Sequence, residues 1–117
     1  MKSKELLKEE IPVEEPMTEN LESTVYGPDA ENLMMSFRLP KKLDKDVPAL
    51  QLLNQMLYNR QAGLIDVNIN QKQKALDAYS FQYLLNDYSV HLLMATAREG
   101  QELSEVKDLL LSQVDSL

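Results

Sequence analysis

The sequence predicts an α+β domain: an antiparallel or mixed sheet built around a central hairpin, with helices packed on one face. Three stretches carry this reading. Leu76 to Arg98, LDAYSFQYLLNDYSVHLLMATAR, alternates as two strands. Asp46 to Asn59 and Gln101 to Leu117 repeat their apolar residues at helical spacing. Two helices and a sheet of few strands bury each other by layering.

The hairpin is the centre. Tyr79, Phe81, Tyr83 and Leu85 fall on alternate positions of one strand, and Tyr88, Val90, Leu92 and Met94 on those of the next. Alternation puts each set on one face. With Asn86-Asp87 as the two-residue loop, Leu85 faces Tyr88, Tyr83 faces Val90, Phe81 faces Leu92 and Tyr79 faces Met94. Register then joins the two sets into one apolar face, expected to be the buried one with Phe81 and Leu92 at its middle. The other face is mixed: Ser80, Gln82, Ser89 and His91 lie among Ala78, Leu84, Leu93 and Ala95.

The remaining elements follow in chain order. Residues 2–10, KSKELLKEE, are good helix formers with only Leu6 and Leu7 to pack, and so short a helix is marginal alone. Ile11 to Asn20 carries Pro12 and Pro16 and reads as an extended linker. The expected division is residues 1–20 as a linker and 21–117 as a single domain. Leu21 to Tyr26 can open a strand before the Gly27-Pro28-Asp29 turn. Leu33 to Leu39 is the next strand, with Leu33, Met35, Phe37 and Leu39 alternating against Met34, Ser36 and Arg38; Pro40 ends it. Asp46 is placed to cap a helix whose first turn accepts Pro48 and whose apolar stripe is Leu50, Leu53, Met56 and Leu57. Asn59 to Gly63 breaks it. In Leu64 to Lys74, Ile65, Val67 and Ile69 alternate, so pattern alone leans to strand, although Asp, Asn and Gln between them are poor strand residues. Gly100 turns the chain into the last helix, with Leu103, Val106, Leu109, Leu110, Val114 and Leu117 on its stripe.

The totals exclude several function classes. Net charge is −7, from 19 acids against 12 bases, which disfavours nucleic acid as a partner because phosphate contacts need a basic surface. There is no cysteine, hence no disulfide and no thiolate site. No run approaches the roughly 18 apolar residues of a membrane span, and the first residues lack the apolar core of a signal peptide.

Little here suggests chemistry. His91 is the one histidine, and a zinc site normally gathers several ligands. It reads as a hydrogen-bonded structural residue opposite Gln82. Neither H-E-x-x-H nor its inverse H-x-x-E-H can be written with one histidine. Gly27, Gly63 and Gly100 are isolated and make no phosphate loop. The pairs Asp44/Asp46 and Glu14/Glu15 lie in loops or the linker and read as solvated surface rather than a general acid/base pair. No catalytic, metal-binding or cofactor-binding residue is assigned.

From about Ser23 onward the chain resembles part of the pitrilysin/insulinase-type zinc metallopeptidases. The residues that carry the likeness are YGPDAENLMMSFRLP, ALQLLNQMLYNRQAGLIDVNINQKQKALDAYSF and VHLLMATAREGQELSEVKDLLLSQVDSL, in that order. Such enzymes repeat an α+β domain, and two copies close around a peptide. One domain holds zinc through H-x-x-E-H and a distant glutamate; the others look alike and lack the metal. The resemblance therefore implies a metal-free segment, about half of one such domain, with KSKELLKEE as the tail of a preceding helix. It implies no cofactor in this chain and zinc elsewhere in a parent protein. It also implies a helix over Leu64–Gln73, against the alternation. Metal-free domains of this kind often supply an arginine and a tyrosine that hold substrate backbone. Tyr79 matches the tyrosine, but Asn70 and Gln71 stand where the arginine is expected, and Lys72 and Lys74 are not equivalent in geometry. No functional residue is carried over.

The expected function is thus a non-catalytic structural segment of a zinc-metallopeptidase-like protein, helping to enclose a peptide chamber. The expected partners are the remaining domains of the parent, its peptide substrate and, for the isolated chain, a second copy. The alternative is a free-standing α+β interaction module acting through its sheet edge.

Overall fold

A computed structural model describes residues 15–117. The N-terminal helix expected over residues 2–10, and most of the linker, lie outside the described residues. The order is strand β1 (Asn32–Leu39), helix α1 (Val47–Leu57), a π-helical turn (Asp66–Asn70), strands β2 (Asp77–Tyr83) and β3 (Ser89–Thr96), and helix α2 (Leu103–Asp115). The sheet is antiparallel throughout, in the order β1-β3-β2. The fold class is α+β, as expected. Leu21–Tyr26 forms no strand; residues 15–32 are exposed throughout.

The hairpin register is the one expected: Tyr79 pairs with Met94, Phe81 with Leu92 and Tyr83 with Val90. The strands end earlier than a two-residue loop requires, so Leu84–Tyr88 forms the connection. The buried face is the opposite of the expected one. Ala78, Ser80, Ser89, His91, Leu93 and Ala95 are buried, whereas Phe81 and Leu92 are only half-buried and Tyr83 is exposed. Phe81 and Leu92 are therefore not the centre of the core.

The physical reason lies in side-chain size. Helices approach a sheet closely where its residues are small, and Ala78, Ser80, Ser89 and Ala95 supply that surface. α1 packs on β2, and α2 packs across β1 and β3. The core between them is Leu57, Ile65, Ile69, Leu93, Val106 and Leu110, all at 1% exposure or less. β1 adds Leu33 and Met35 to this layer. Burying such side chains contributes about 1.5–3 kcal/mol each, which outweighs an apolar face left half in water.

Local chemistry sets the other elements. Asp46 precedes α1 but makes no side-chain cap; the Asp44 Oδ1 instead accepts the Asp46 N–H at 3.0 Å. After α1, Asn59 Oδ1 accepts the N–H groups of Gln61 and Ala62, and Arg60 between them takes φ 69°. Gly63 then passes so close to the end of α1 that an added Cβ would lie 2.6 Å from the Leu57 carbonyl oxygen. The Leu64–Gln73 segment is helical, as the resemblance implied and the alternation did not. Leu64 and Ile65 begin an α-turn, which widens into the π-helical turn. Asp66 fastens this corner: its Oδ2 accepts the N–H groups of Asn59 (3.0 Å) and Gly63 (3.1 Å). Gly100, at φ +77°, turns the chain into α2.

Candidate functional site

Three features of the sheet could serve a function. The first is the buried polar cluster beneath α1. Ser80 and His91 are neighbours on β2 and β3, and α1 lays Asn54 over them. Ser80 Oγ donates to Asn54 Oδ1 at 2.7 Å and lies 2.6 Å from His91 Nε2. A serine has one hydroxyl proton, so the second contact is His91 Nε2–H donating to Ser80 Oγ. On the other side of the ring, Gln82 Nε2 donates to His91 Nδ1 at 3.2 Å and to the Leu50 carbonyl at 2.8 Å. The imidazole is thus neutral, protonated on Nε2, with both nitrogens occupied. Desolvation by burial lowers its pKa below the usual 6.5.

A Ser–His contact invites comparison with a nucleophile and its base, but the proton runs the wrong way. Ser80 accepts from the ring rather than giving to it, and its own proton is committed to Asn54. The residue behind the ring is Gln82, a donor, where an orienting carboxylate would be needed. The cluster ties α1 to the sheet. Every buried side-chain polar atom among the described residues has a hydrogen-bond partner. A zinc ion does not fit this donor set either. No group of three or more His, Cys, Asp or Glu side chains able to hold a metal occurs among the described residues, and the neighbours of His91 are a hydroxyl and carboxamides.

The second feature is the edge of β2 near Tyr79. Asn70 pairs with the backbone of Ala78 as a strand would: its Nδ2 donates to the Ala78 carbonyl (2.7 Å) and its Oδ1 accepts the Ala78 N–H (2.9 Å). Tyr58 lies against Tyr79, with ring centroids 6.3 Å apart. The place where the resemblance expects an arginine is thus taken by a carboxamide engaged with the chain itself. Gln71 Nε2 donates to the Gln61 carbonyl and Lys72 Nζ to Asn68 Oδ1. The Tyr79 ring lies between those of Tyr58 and Phe81.

The third feature is the sheet face opposite the core, bordered by α1, whose Gln51, Leu52 and Gln55 line a cleft with Phe81, and met by Glu15, whose carbonyl accepts from the Arg38 guanidinium at 2.8 Å. Tyr79 and Phe81 stack along β2 at 6.0 Å, and Phe81 meets Tyr83 edge-on at 5.1 Å. Arg38 of β1 lies over the Tyr88 ring at 4.8 Å. With Val90, Leu92, Met94 and Met34 these rings make an apolar surface of the kind that marks an interaction site. The alternation made this face visible in the sequence. The carboxamide network was not: it depends on which face the helices choose, and the one legible hint was polar Ser80, Gln82 and His91 converging on it.

No described helix is long and apolar enough to cross a membrane. Comparison with known proteins agrees with the resemblance. A family model described as the Peptidase M16 inactive domain matches residues 2–117. No curated protein matches, and no solved structure matches. With nearly the whole length matched, the chain belongs to the M16 peptidase family, in its inactive-domain branch.

Proposed function

We propose that this chain is a structural, non-catalytic segment of a larger M16-type protein and that it helps enclose a peptide-binding chamber. The observation that supports the reading is the row of aromatic rings on the sheet face opposite the core. Tyr79, Phe81 and Tyr83 form a continuous row of rings beside half-buried Leu92 and Met94, a surface suited to an unfolded peptide or a facing domain. The polar residues are spent on the other face, in fastening α1. No step of peptide hydrolysis is assigned to the chain, and zinc chemistry belongs elsewhere in the parent. Its partners are the remaining domains of that parent and, for the chain in isolation, a second copy.

The second reading is a free-standing interaction module that works through its sheet edge. The position of β1 at the end of the sheet favours it, since no other described strand pairs with its outer side and Ser36 and Phe37 are exposed there.

Titration with an unstructured peptide, followed by NMR, tests the first reading. Ring resonances of Tyr79, Phe81 and Tyr83 shift together if the aromatic face is a chamber wall. Shifts confined to β1 backbone amides, with the rings unmoved, would favour the module.

A further inference from the structure

α1 is held by packing at its ends and by polar groups in its middle. It lies on β2, and of its 11 residues only Val47 and Leu57 are buried. Leu50, Leu53 and Asn54 between them are half-buried, while Leu52 and Met56 are 63% and 53% exposed. Two hydrogen bonds fasten this middle to the sheet: Ser80 Oγ donates to Asn54 Oδ1, and Gln82 Nε2 to the Leu50 carbonyl. Ser80 and Gln82 also meet His91, one at each ring nitrogen. The imidazole is the joint that both tethers share.

The two sides of the ring respond differently to a proton. Nε2 already donates to Ser80, so the Asn54 tether is untouched. Nδ1 accepts from Gln82 and, once protonated, needs an acceptor; the carboxamide oxygen of Gln82 is at hand. Turning the carboxamide over brings Oε1 to the ring, but also sets it against the Leu50 carbonyl, acceptor against acceptor. The ring bond is kept and the Leu50 bond is lost. Gln82 lines the open cleft with Gln51, Gln55 and Phe81, so water reaches this side of the ring. No other titratable group answers the ring. α1 carries none and β3 has only His91. Arg38 of β1 and Asp77, Tyr79 and Tyr83 of β2 fall on the other sheet face by alternation. Asp66 is bonded to the Asn59 and Gly63 N–H groups, and Glu105, Lys107, Asp108 and Asp115 of α2 are exposed.

We infer that His91 and Gln82 form a proton-operated latch: a proton on Nδ1 turns the Gln82 carboxamide over and frees the first half of α1 from the sheet, while Asn54 and Leu57 keep the second half attached. The freed half frays, because a helix shorter than about 12 residues is marginal without packing. The cleft beside Phe81 then opens at the border of the aromatic face. Burial of the ring places the release below pH 6.5.

Amide exchange followed by NMR tests the latch, with protection taken relative to the intrinsic exchange rate at each pH from 7.5 to 5 and the His91 ring titrated in the same samples. As the ring takes up its proton, α1 amides lose about tenfold in protection, the worth of one hydrogen bond, through an opening that low urea does not promote. β3 amides remain better protected and exchange only through the urea-sensitive global transition. Gln82→Met removes the Leu50 tether without adding charge; its α1 opens at pH 7.5 as the unmodified chain's does at pH 5, and lowering the pH adds nothing. His91→Gln abolishes the pH dependence of α1 exchange. The latch is overturned if α1 and β3 amides lose protection together through the urea-sensitive transition, or if α1 protection holds while the ring titrates. A ring that stays unprotonated until the whole chain unfolds, or α1 exchange that still follows pH in Gln82→Met, overturns it equally.

Discussion

His91 carries the clearest residue-scale consequence. Its ring is held neutral because Gln82 presents a donor to Nδ1 and Ser80 an acceptor to Nε2. Protonation would place N–H against N–H at Nδ1 and a charge beneath α1. The folded-state pKa lies below 6.5, through desolvation, so the unfolded chain takes up this proton first. Stability is therefore full above pH 6.5 and declines as pH falls through 6.5 toward the lower folded value. Urea denaturation between pH 7.5 and 5 should show the decline, and His91→Gln should flatten it. Ser80→Ala should destabilise by about 1–3 kcal/mol, because it leaves both the ring N–H and Asn54 without their partner. The same measurement compares the two faces. Leu93→Ala, at 1% exposure, should cost about 2–5 kcal/mol, and Phe81→Ala less, since Phe81 is half in solvent. The reverse order would restore the aromatic face as the core.

At the scale of elements, the helices and the strand register were legible because each depends on spacing alone. α2 buries Val106 and Leu110 on the stripe read from the sequence, and Tyr79, Phe81 and Tyr83 meet the partners that the hairpin spacing assigned. Which face is buried was not legible. Counting apolar residues favours the Tyr79–Phe81–Tyr83 side, but α1 and α2 settle on the small residues Ala78, Ser80 and Ala95. The π-helical turn was hidden for a related reason. Ile65, Val67 and Ile69 alternate like a strand, yet Ile65 and Ile69 are four apart and are buried together, while Val67 is exposed. The corner before this turn depends on Gly63. Gly63→Ala would drive a Cβ into the Leu57 carbonyl, and the backbone must shift to admit it. A loss of about 1–3 kcal/mol is expected from such overpacking, read as a lower midpoint in chemical denaturation with an unchanged slope.

For the whole molecule, the family was legible through the order of three phrases, and the matching family model spans residues 2–117. What the chain does with that inheritance rests on where its polar groups are spent. Asn54, Ser80, Gln82 and His91 fasten α1 to the sheet, Asn70 closes one edge, and Asn68 donates to Gln113 of α2 at 2.8 Å. None of these groups is left over for hydrolysis. The most direct test is zinc content, measured together with cleavage of a quenched fluorescent peptide, on protein purified without a histidine tag. The account predicts substoichiometric zinc and no cleavage above the buffer blank. One zinc per chain, with cleavage abolished by a chelator and restored by zinc, would contradict it.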